Sequence, residues 1–245
     1  MISNIRIIII FFFSQFFLKF NSGFDSNADL IQHLKNEEYI HSDDVEYIML
    51  SIDRAHFVDD QPYDDSPKSI GFGVTISAPH MHAVALELIL PMLKPGARIL
   101  DVGSGSGYLT ACFMKKLGNQ GIVVGVDHIE ELVHKSILNI NKFPEIKELI
   151  YTGHLHLKSG DGREGFEDFA PYDAIHVGAA SENIPEILVK QLKVNGILVC
   201  PIGKPGNQFL MKITKLKDGS LQKEQLMAVR YVLLTNRASQ LHSEL

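Results

Sequence analysis

The chain has 245 residues, of which 45% are hydrophobic, and its formal net charge at pH 7 is -6. This length and apolar content can bury a full core, as is typical of one folded domain with short extensions. Lysine and arginine are scattered along the chain, so there is no basic footprint for a phosphate backbone, and we expect no nucleic-acid partner. The two cysteines, Cys112 and Cys200, lack CxxC or Cys/His spacing, which favours two buried free thiols over a disulfide or a metal site.

The first 23 residues differ from the rest. One early cation, Arg6, precedes an apolar run from Ile7 to Phe13 that resumes from Phe16 to Leu18. This length is short for a membrane span and suits the core of a signal peptide. The chain ends in His-Ser-Glu-Leu, one residue away from the ER-retention signal HDEL, which also favours the secretory pathway. The alternative is an uncleaved apolar extension, or a wrongly chosen start codon, on a cytosolic enzyme, and either way the folded domain is taken as 24–245.

Two helices are predicted at the start of this domain, one following Asn27 and one from Asp43 to Ala55, because their apolar residues recur at helical spacing. The polar stretch 59–73 contains two prolines and fits neither a helix nor a strand, so we expect an ordered loop there.

Strands and helices then alternate along the chain. Buried strands are predicted at 97–103, 121–127, 155–161, 172–180 and 196–203, with helices at 79–90, 107–117, 129–141 and 184–192. Helical crossovers between strands indicate a parallel sheet covered on both faces. Segments 209–216 and 227–234 follow with only a loop between them, which predicts an antiparallel pair at the sheet edge. The expected fold is therefore α/β: a doubly wound, mostly parallel, Rossmann-like sheet with an antiparallel edge and N-terminal helices.

A glycine-rich loop, LDVGSGSG (100–107), joins the first of these strands to its helix. Gly103, Gly105 and Gly107 would let the backbone turn tightly and approach a ligand at the helix N-terminus. The GxGxG form departs from the GxGxxG fingerprint of dinucleotide sites. Asp101 is placed to hold the backbone amides of the loop or, through water, the ammonium group of a ligand.

Two further aspartates end predicted strands. Asp127 stands 24 residues after Gly103, where an acid can accept both hydroxyls of a ribose. Asp161, followed by Gly162, ends the next strand at the same edge of the sheet and is a candidate contact for an adenine amino group. The alternative role of Asp127 is a cap for the helix starting at Ile129, and that of Asp161 is a simple Asp-Gly turn. Together with the loop, the pattern predicts a nucleoside-binding site.

These motifs carry a family resemblance. LDVGSGSGYLT, followed by VGVDHIEEL, resembles the motifs of Class I S-adenosylmethionine-dependent methyltransferases. With QPYDDSPKSIGFGVTISAPHMHA, GDGREGF, PYDAIHVGAA and YVLLT added, residues 27–241 resemble the protein-L-isoaspartate (D-aspartate) O-methyltransferase family, and TISAPHMHA is the most specific part.

The resemblance implies a methyltransferase version of the Rossmann-like sheet with S-adenosyl-L-methionine as cofactor. It implies methyl transfer to the free carboxyl of L-isoaspartyl and D-aspartyl residues in damaged proteins and peptides. The ester then collapses to a succinimide, which hydrolyses partly to aspartate. The resemblance also implies a cytoplasmic protein. Nothing in the sequence demands an assembly larger than a monomer, and we expect no stable membrane partner.

Residue-by-residue matching to the family then names the site. Ser77 matches the active-site serine and would orient the acceptor carboxylate, whereas the sequence by itself favours a capping role for the helix Pro79–Leu90. Thr75 and Ile76 would lend backbone groups, His82 matches a cofactor-contacting position, and His80 is interpreted as structural. The expected cofactor-binding residues are Val74, Thr75, Ile76, Ser77, His82, Asp101, Gly103, Ser104, Gly105, Gly107, Asp127, His128, Asp161, Gly162, Thr235 and Gln240.

Three other functions are disfavoured by the residues. A nucleic-acid methyltransferase would carry an Asn/Asp-Pro-Pro-Tyr motif or a Pro-Cys nucleophile, but Cys200-Pro201 has the reverse order. An NAD-dependent oxidoreductase would carry the dinucleotide loop and a hydride-handling pair. A non-catalytic adaptor would have no reason to keep Ser77 and the aspartates together. The clearest departure in the site region is Gly73, where relatives often carry a larger polar residue.

Overall fold

The computed structural model describes residues 23–242. The apolar leader, apart from Gly23, lies outside the described residues, and so do the last three residues of the HSEL terminus. Between residues 23 and 242, no helix combines the length and the apolar character needed to cross a membrane.

The described chain contains eight α-helices and nine strands. The helices are α1 (Asn27–Asn36), α2 (Asp43–Ser51), α3 (Pro79–Ile89), α4 (Tyr108–Leu117), α5 (Glu130–Ile140), α6 (Pro144–Tyr151), α7 (Glu186–Lys190) and α8 (Arg237–His242). The strands are β1 (Lys68–Gly71), β2 (Val74–Ile76), β3 (Arg98–Val102), β4 (Ile122–Asp127), β5 (Leu155–Ser159), β6 (Tyr172–Val177), β7 (Leu192–Lys204), β8 (Asn207–Lys215) and β9 (Leu221–Val229).

Seven of the strands form one sheet in the order β5-β4-β3-β6-β7-β8-β9. The first five in this order are parallel, and β8 and β9 pair antiparallel at the edge. The chain proceeds from β3 outward to β5 and then returns to β6 on the other side of β3, so the topological switch point lies between β3 and β6. Ligands of open α/β sheets bind at the carboxyl ends of the strands at such a point. The predicted fold class is confirmed.

Alternate residues of the strands enter two separate cores, as the pleat requires. On β3, Ile99 joins a core with α1 to α6, whereas Leu100 and Val102 join a core on the other face with Leu188 of α7. Both cysteines are buried free thiols, as predicted.

The predicted loop 59–73 is wrong in its last part, because β1 and β2 form an antiparallel hairpin. The turn between them is Phe72-Gly73, and both residues have positive φ, 57° and 64°. Two positive φ values characterise the tight hairpin turn whose twist matches the strands, and it is usually made by Asn-Gly. Because Phe-Gly is an unusual sequence for this turn, the hairpin was not predicted.

Three further boundaries differ from the prediction. The last strand runs over Leu221–Val229 rather than 227–234, and it ends before Tyr231 because the backbone of Tyr231 is hydrogen-bonded to the side chain of Gln208. The second helix ends at Ser51, since Asp53 caps a separate 3-10 turn at Arg54–His56. Helix α6 was not predicted, although Pro144 at its first position is a helix-start signal.

Candidate active site

A cavity of about 680 Å³ opens at the carboxyl ends of β3 and β4. One wall comes from the sheet, with Gly103, Asp127 and Gly178. The opposite wall comes from residues 74–81 and from 227–235, which are the end of β9 and the chain after it. A smaller cavity of about 30 Å³ adjoins it and shares the residue Ser77. Most of the predicted site residues therefore converge where the sheet topology favours a ligand site.

Asp127 ties the glycine loop to the start of α5. Its two carboxylate oxygens accept from the backbone N–H groups of Gly105 and Ile129, each at 3.0 Å. Burial raises the pKa of this carboxyl, and the two backbone hydrogen bonds oppose the shift. The carboxylate binds the backbone just before α5 and also lines the large cavity, and its role toward ribose hydroxyls stays a prediction.

The backbone approaches closely across the switch point. A Cβ atom on Gly178 would lie 3.0 Å from the carbonyl oxygen of Gly103. The Ser104 hydroxyl is buried with no hydrogen-bond partner among the described residues. Because buried polar groups are normally paired, this hydroxyl is suited to a ligand atom. Gly107 lines neither cavity; a Cβ there would lie 2.9 Å from Cβ of Ser136, which indicates close packing of α4 against α5.

Asp101 is 1% exposed and connects three elements. Its carboxylate accepts from the Thr110 hydroxyl of α4 and lies 2.8 Å from Nδ1 of His176 on β6. The backbone amides of Gly103 and Ser104 donate instead to the carbonyl of Val126. The interpretation that Asp101 holds the loop amides is therefore wrong. A role toward a ligand's ammonium group stays a prediction, since Asp101 lines the smaller cavity.

Ser77 faces both cavities but does not cap α3. The N-cap position is Ala78, with no side-chain hydrogen bond, and the N–H of His80 donates to Asp65 at 3.0 Å instead. The predicted capping role of Ser77 is wrong because Asp65 on the preceding loop takes it. The Ser77 side chain interacts with the Tyr231 hydroxyl; burial raises the pKa of Tyr231, and the interaction with Ser77 opposes this shift.

His82 lies on the first turn of α3 and lines the smaller cavity. Its Nδ1 atom lies 3.3 Å from Nη1 of Arg54. Burial and the positive charge of Arg54 lower the pKa of His82 well below its ordinary value. The imidazole is therefore neutral at physiological pH.

Sequence comparison decides the family. The profile described as protein-L-isoaspartate(D-aspartate) O-methyltransferase matches residues 25–239. A relative from Arabidopsis thaliana, protein-L-isoaspartate O-methyltransferase 1, is 49% identical over 91% of this chain and 97% of its own length. The chain belongs to the protein-L-isoaspartate O-methyltransferase family. The Caenorhabditis elegans member is 42% identical over 91% of this chain and 98% of its own length.

Solved structures of the family have the same fold. A Plasmodium falciparum protein assigned as a protein-L-isoaspartate O-methyltransferase, crystallised with S-adenosyl-L-homocysteine, superposes with a TM-score of 0.81 at 38% identity. The match covers 86% of this chain and 99% of the other. A second protein-L-isoaspartate O-methyltransferase structure superposes with a TM-score of 0.71 at 24% identity, which supports the fold.

The C-terminal residues expected from the family resemblance reach the large cavity. Thr235 and Gln240 line it, and the Gln240 amide donates to the carbonyl of Gly73 at 3.0 Å. Asp161 lines neither cavity, although Gly162 next to it does. Arg163 binds the Asp161 carboxylate and lowers its pKa. The remaining expected residues line one cavity or both: Val74, Thr75, Ile76, His82, Asp101, Gly103, Ser104, Gly105, Asp127 and His128.

Four residues of the site region are not among those predicted from the sequence: Arg54, Thr110, His176 and Tyr231. Tyr231 lies in the YVLLT motif, which contributes to the family resemblance and to a predicted strand, but neither gave Tyr231 a role of its own. His176 and Asp101 occupy paired positions on neighbouring parallel strands, a signal that the predicted sheet could have supplied. Arg54 gave no signal, since one arginine near the end of a predicted helix is ordinary.

Proposed function

We propose that the chain is a protein-L-isoaspartate (D-aspartate) O-methyltransferase. It transfers a methyl group from S-adenosyl-L-methionine to the free carboxyl of L-isoaspartyl and D-aspartyl residues in damaged proteins and peptides. The observation that carries the proposal is the position of Ser77, which belongs to the TISAPHMHA segment that distinguishes this family and lines both cavities.

The described residues fit the cofactor. A volume of about 680 Å³ lies within the range of small-molecule sites. Asp127 would accept from the ribose hydroxyls, and the unpaired Ser104 hydroxyl with the close backbone at Gly103 would hold the amino-acid part. When bound, S-adenosyl-L-methionine supplies a methyl group attached to a positively charged sulfur.

The side chains around Ser77 indicate positioning rather than acid–base chemistry. An acceptor carboxyl has a reference pKa of about 3.9, so it is ionised at neutral pH and needs no general base. The Ser77 side chain interacts with Tyr231, whose pKa is raised by burial, so the phenol stays protonated at neutral pH. Ser77 is thus not activated as a nucleophile. Its hydroxyl donates to the acceptor carboxylate and holds one oxygen at near-attack distance.

The reaction after transfer needs no residue of the protein. In the methyl ester, the backbone nitrogen of the next residue attacks the ester carbonyl, loses its proton and expels methanol, which gives a succinimide. Water then opens the ring at either carbonyl. One opening restores the normal aspartyl linkage and the other returns the isoaspartyl linkage to the enzyme.

The wider assignments follow from family membership. We propose one methyltransferase domain over 24–245 that acts as a monomer on polypeptides, with no nucleic-acid or membrane partner. Family resemblance favours the cytoplasm, while the leader and the HSEL terminus favour the endoplasmic reticulum. Fusing residues 1–30 to a fluorescent reporter separates these, because a diffuse signal supports the cytoplasm and a reticular signal supports secretory entry.

The function is tested with paired peptides of one sequence that contain either an isoaspartyl or an aspartyl residue, and S-adenosyl-L-methionine labelled in the methyl group. We expect label in the isoaspartyl peptide and about a hundredfold less in its aspartyl pair, since the extra methylene displaces the carboxyl from near-attack geometry. Equal labelling of the two peptides, or none, would contradict the proposed function.

A further inference from the structure

Arg54 is a buried cation that touches two residues of the site. It lies in the 3-10 turn Arg54–His56 after α2, and it is 1% exposed. Its Nη2 atom donates to the backbone carbonyl of Ser77 at 2.8 Å, and its Nη1 atom lies 3.3 Å from Nδ1 of His82. Arg54 itself lines neither cavity, so it acts on the site through these two partners.

The charge of Arg54 has no direct counter-ion in the part of the chain that the structure describes. Its Nε atom has no hydrogen-bond partner there, and its guanidinium carbon lies 5.8 Å from the centre of the Tyr108 ring. The carboxylate of Asp65, whose charge acts on Arg54 through space, is hydrogen-bonded to His80 at 2.8 Å. Burial lowers the pKa of Arg54 to about 10, so the guanidinium stays charged at neutral pH.

A buried cation without a counter-ion is a poor means of stabilising a fold. Replacing buried charges by apolar side chains of similar volume is often neutral or stabilising. The specific contacts of the guanidinium are therefore what distinguishes Arg54 from a leucine or methionine at this place.

Those contacts fix the geometry of two groups. The planar guanidinium donates along fixed directions, so one contact sets the orientation of the peptide group that follows Ser77. The other contact sets the tautomer of His82. Because a guanidinium only donates, Nδ1 of His82 must accept, and the proton of the neutral ring then lies on Nε2.

We propose that Arg54 is a positioning residue for methyl transfer. It holds the backbone of Ser77 and the Nε2-protonated tautomer of His82 in one arrangement, so that acceptor and cofactor meet a site that is already ordered. This inference rests on the proposed function, because its kinetic consequence is defined on the isoaspartyl substrate.

The kinetic test uses Arg54→Lys, which keeps the charge and the aliphatic stem but loses the planar fork. We expect kcat on the isoaspartyl peptide to fall about tenfold or more, with a smaller change in KM, and the Kd of S-adenosyl-L-methionine to stay within about threefold. The matched control is Arg98→Lys, since Arg98 also donates to backbone carbonyls, those of Phe169 and Ala170, at the opposite end of β3. An Arg54→Lys protein with the kcat of the control would overturn the inference.

A second measurement needs only the wild-type chain and therefore holds even if the variant does not fold. Nitrogen-15 spectra of the histidine rings report which ring nitrogen carries the proton. We expect His82 as the neutral tautomer with bare Nδ1 at pH 7, and a mixture of tautomers in any Arg54 variant that folds. A proton on Nδ1 of His82 in the wild type would contradict the proposed contact.

The two proposals fail in distinguishable ways. If the wild type does not methylate the isoaspartyl peptide, the proposed function is wrong. If the wild type is active and Arg54→Lys matches Arg98→Lys, only the positioning role is wrong.

Discussion

At the scale of single residues, Ser77 and Asp127 carry different parts of the proposed reaction. Ser77 faces both cavities and interacts with Tyr231, whereas Asp127 lies at the end of β4 and holds the glycine loop. Ser77 is assigned to the acceptor and Asp127 to the cofactor. Their variants should therefore separate turnover from cofactor affinity.

Ser77→Ala should lower turnover and leave cofactor binding nearly intact. A hydrogen bond to a charged group contributes about 1.5–3 kcal/mol, so we expect kcat/KM on the isoaspartyl peptide to fall about 10- to 100-fold. The backbone carbonyl that Arg54 contacts is retained in this variant. Ser51→Ala, which removes a serine hydroxyl bound to the carbonyl of Tyr47 on α2, is the control. If calorimetry shows that Ser77→Ala loses cofactor affinity instead, Ser77 is chiefly a cofactor or structural residue.

Asp127 should make cofactor binding depend on pH. Because burial raises the pKa of this carboxyl, it takes up a proton at a higher pH than an ordinary aspartate as the solution is acidified. The protonated form is a poorer acceptor for ribose hydroxyls. The affinity for S-adenosyl-L-methionine should thus fall as pH drops through the raised pKa and recover above it.

Calorimetric titrations across the acid range check this dependence. Asp127→Asn should bind about tenfold more weakly or worse at pH 7 and lose the acid-side dependence. Asp161→Asn should keep the dependence, because Arg163 holds the pKa of Asp161 below the ordinary value. A wild-type affinity that does not change as the acid range is crossed would be inconsistent with an ionised Asp127 in the cofactor site.

At the scale of elements, the β1–β2 hairpin brings the family's most specific motif to the sheet. Its turn at Phe72-Gly73 requires two positive φ values, and the carbonyl of Gly73 accepts from Gln240 of α8. The hairpin therefore connects the segment that carries Ser77, the residue assigned to the acceptor, with the C-terminal helix. A change in the shape of the hairpin should therefore affect the KM for the acceptor peptide more than the affinity for the cofactor.

Gly73→Val tests this role of the hairpin. A β-branched residue at a φ of 64° is strained by about 1–2 kcal/mol, so the turn should distort and the KM for the isoaspartyl peptide should rise several-fold. Gly219→Val is the matched control, since Gly219 also has positive φ, 84°, but lies in the turn between β8 and β9. Both variants should lose a similar amount of thermal stability. Equal effects of the two on KM would show that the hairpin does not shape the acceptor site.

At the scale of the whole molecule, the sheet order gathers distant residues at one edge. Asp101 and His176 are 75 positions apart in sequence but occupy adjacent strands, and Arg54 reaches Ser77 across 23 positions. The switch point between β3 and β6 places the glycine loop opposite the segment after β9. The site therefore depends on the complete crossover order rather than on any one motif.

Much of this arrangement could be predicted from the sequence. The apolar strands β3 to β7 and the glycine loop follow from local patterns, and residue-by-residue matching to the family named Ser77, Asp127 and Gln240. The hairpin could not be predicted, because a Phe-Gly turn has no standard signal. Arg54 and the partner of Ser77 could not be predicted either, since their contacts depend on packing between segments that no periodicity relates.

The central claim is most directly tested by following one isoaspartyl peptide through repair. Wild-type protein, S-adenosyl-L-methionine and the peptide are incubated at neutral pH, and the products are separated by chromatography with mass detection. We expect the methyl ester at the free α-carboxyl, then the succinimide, and finally a growing fraction of the aspartyl peptide, which should form about 10- to 100-fold more slowly with Ser77→Ala. An isoaspartyl peptide that stays unmodified, or a methyl group on another side chain, would contradict the account.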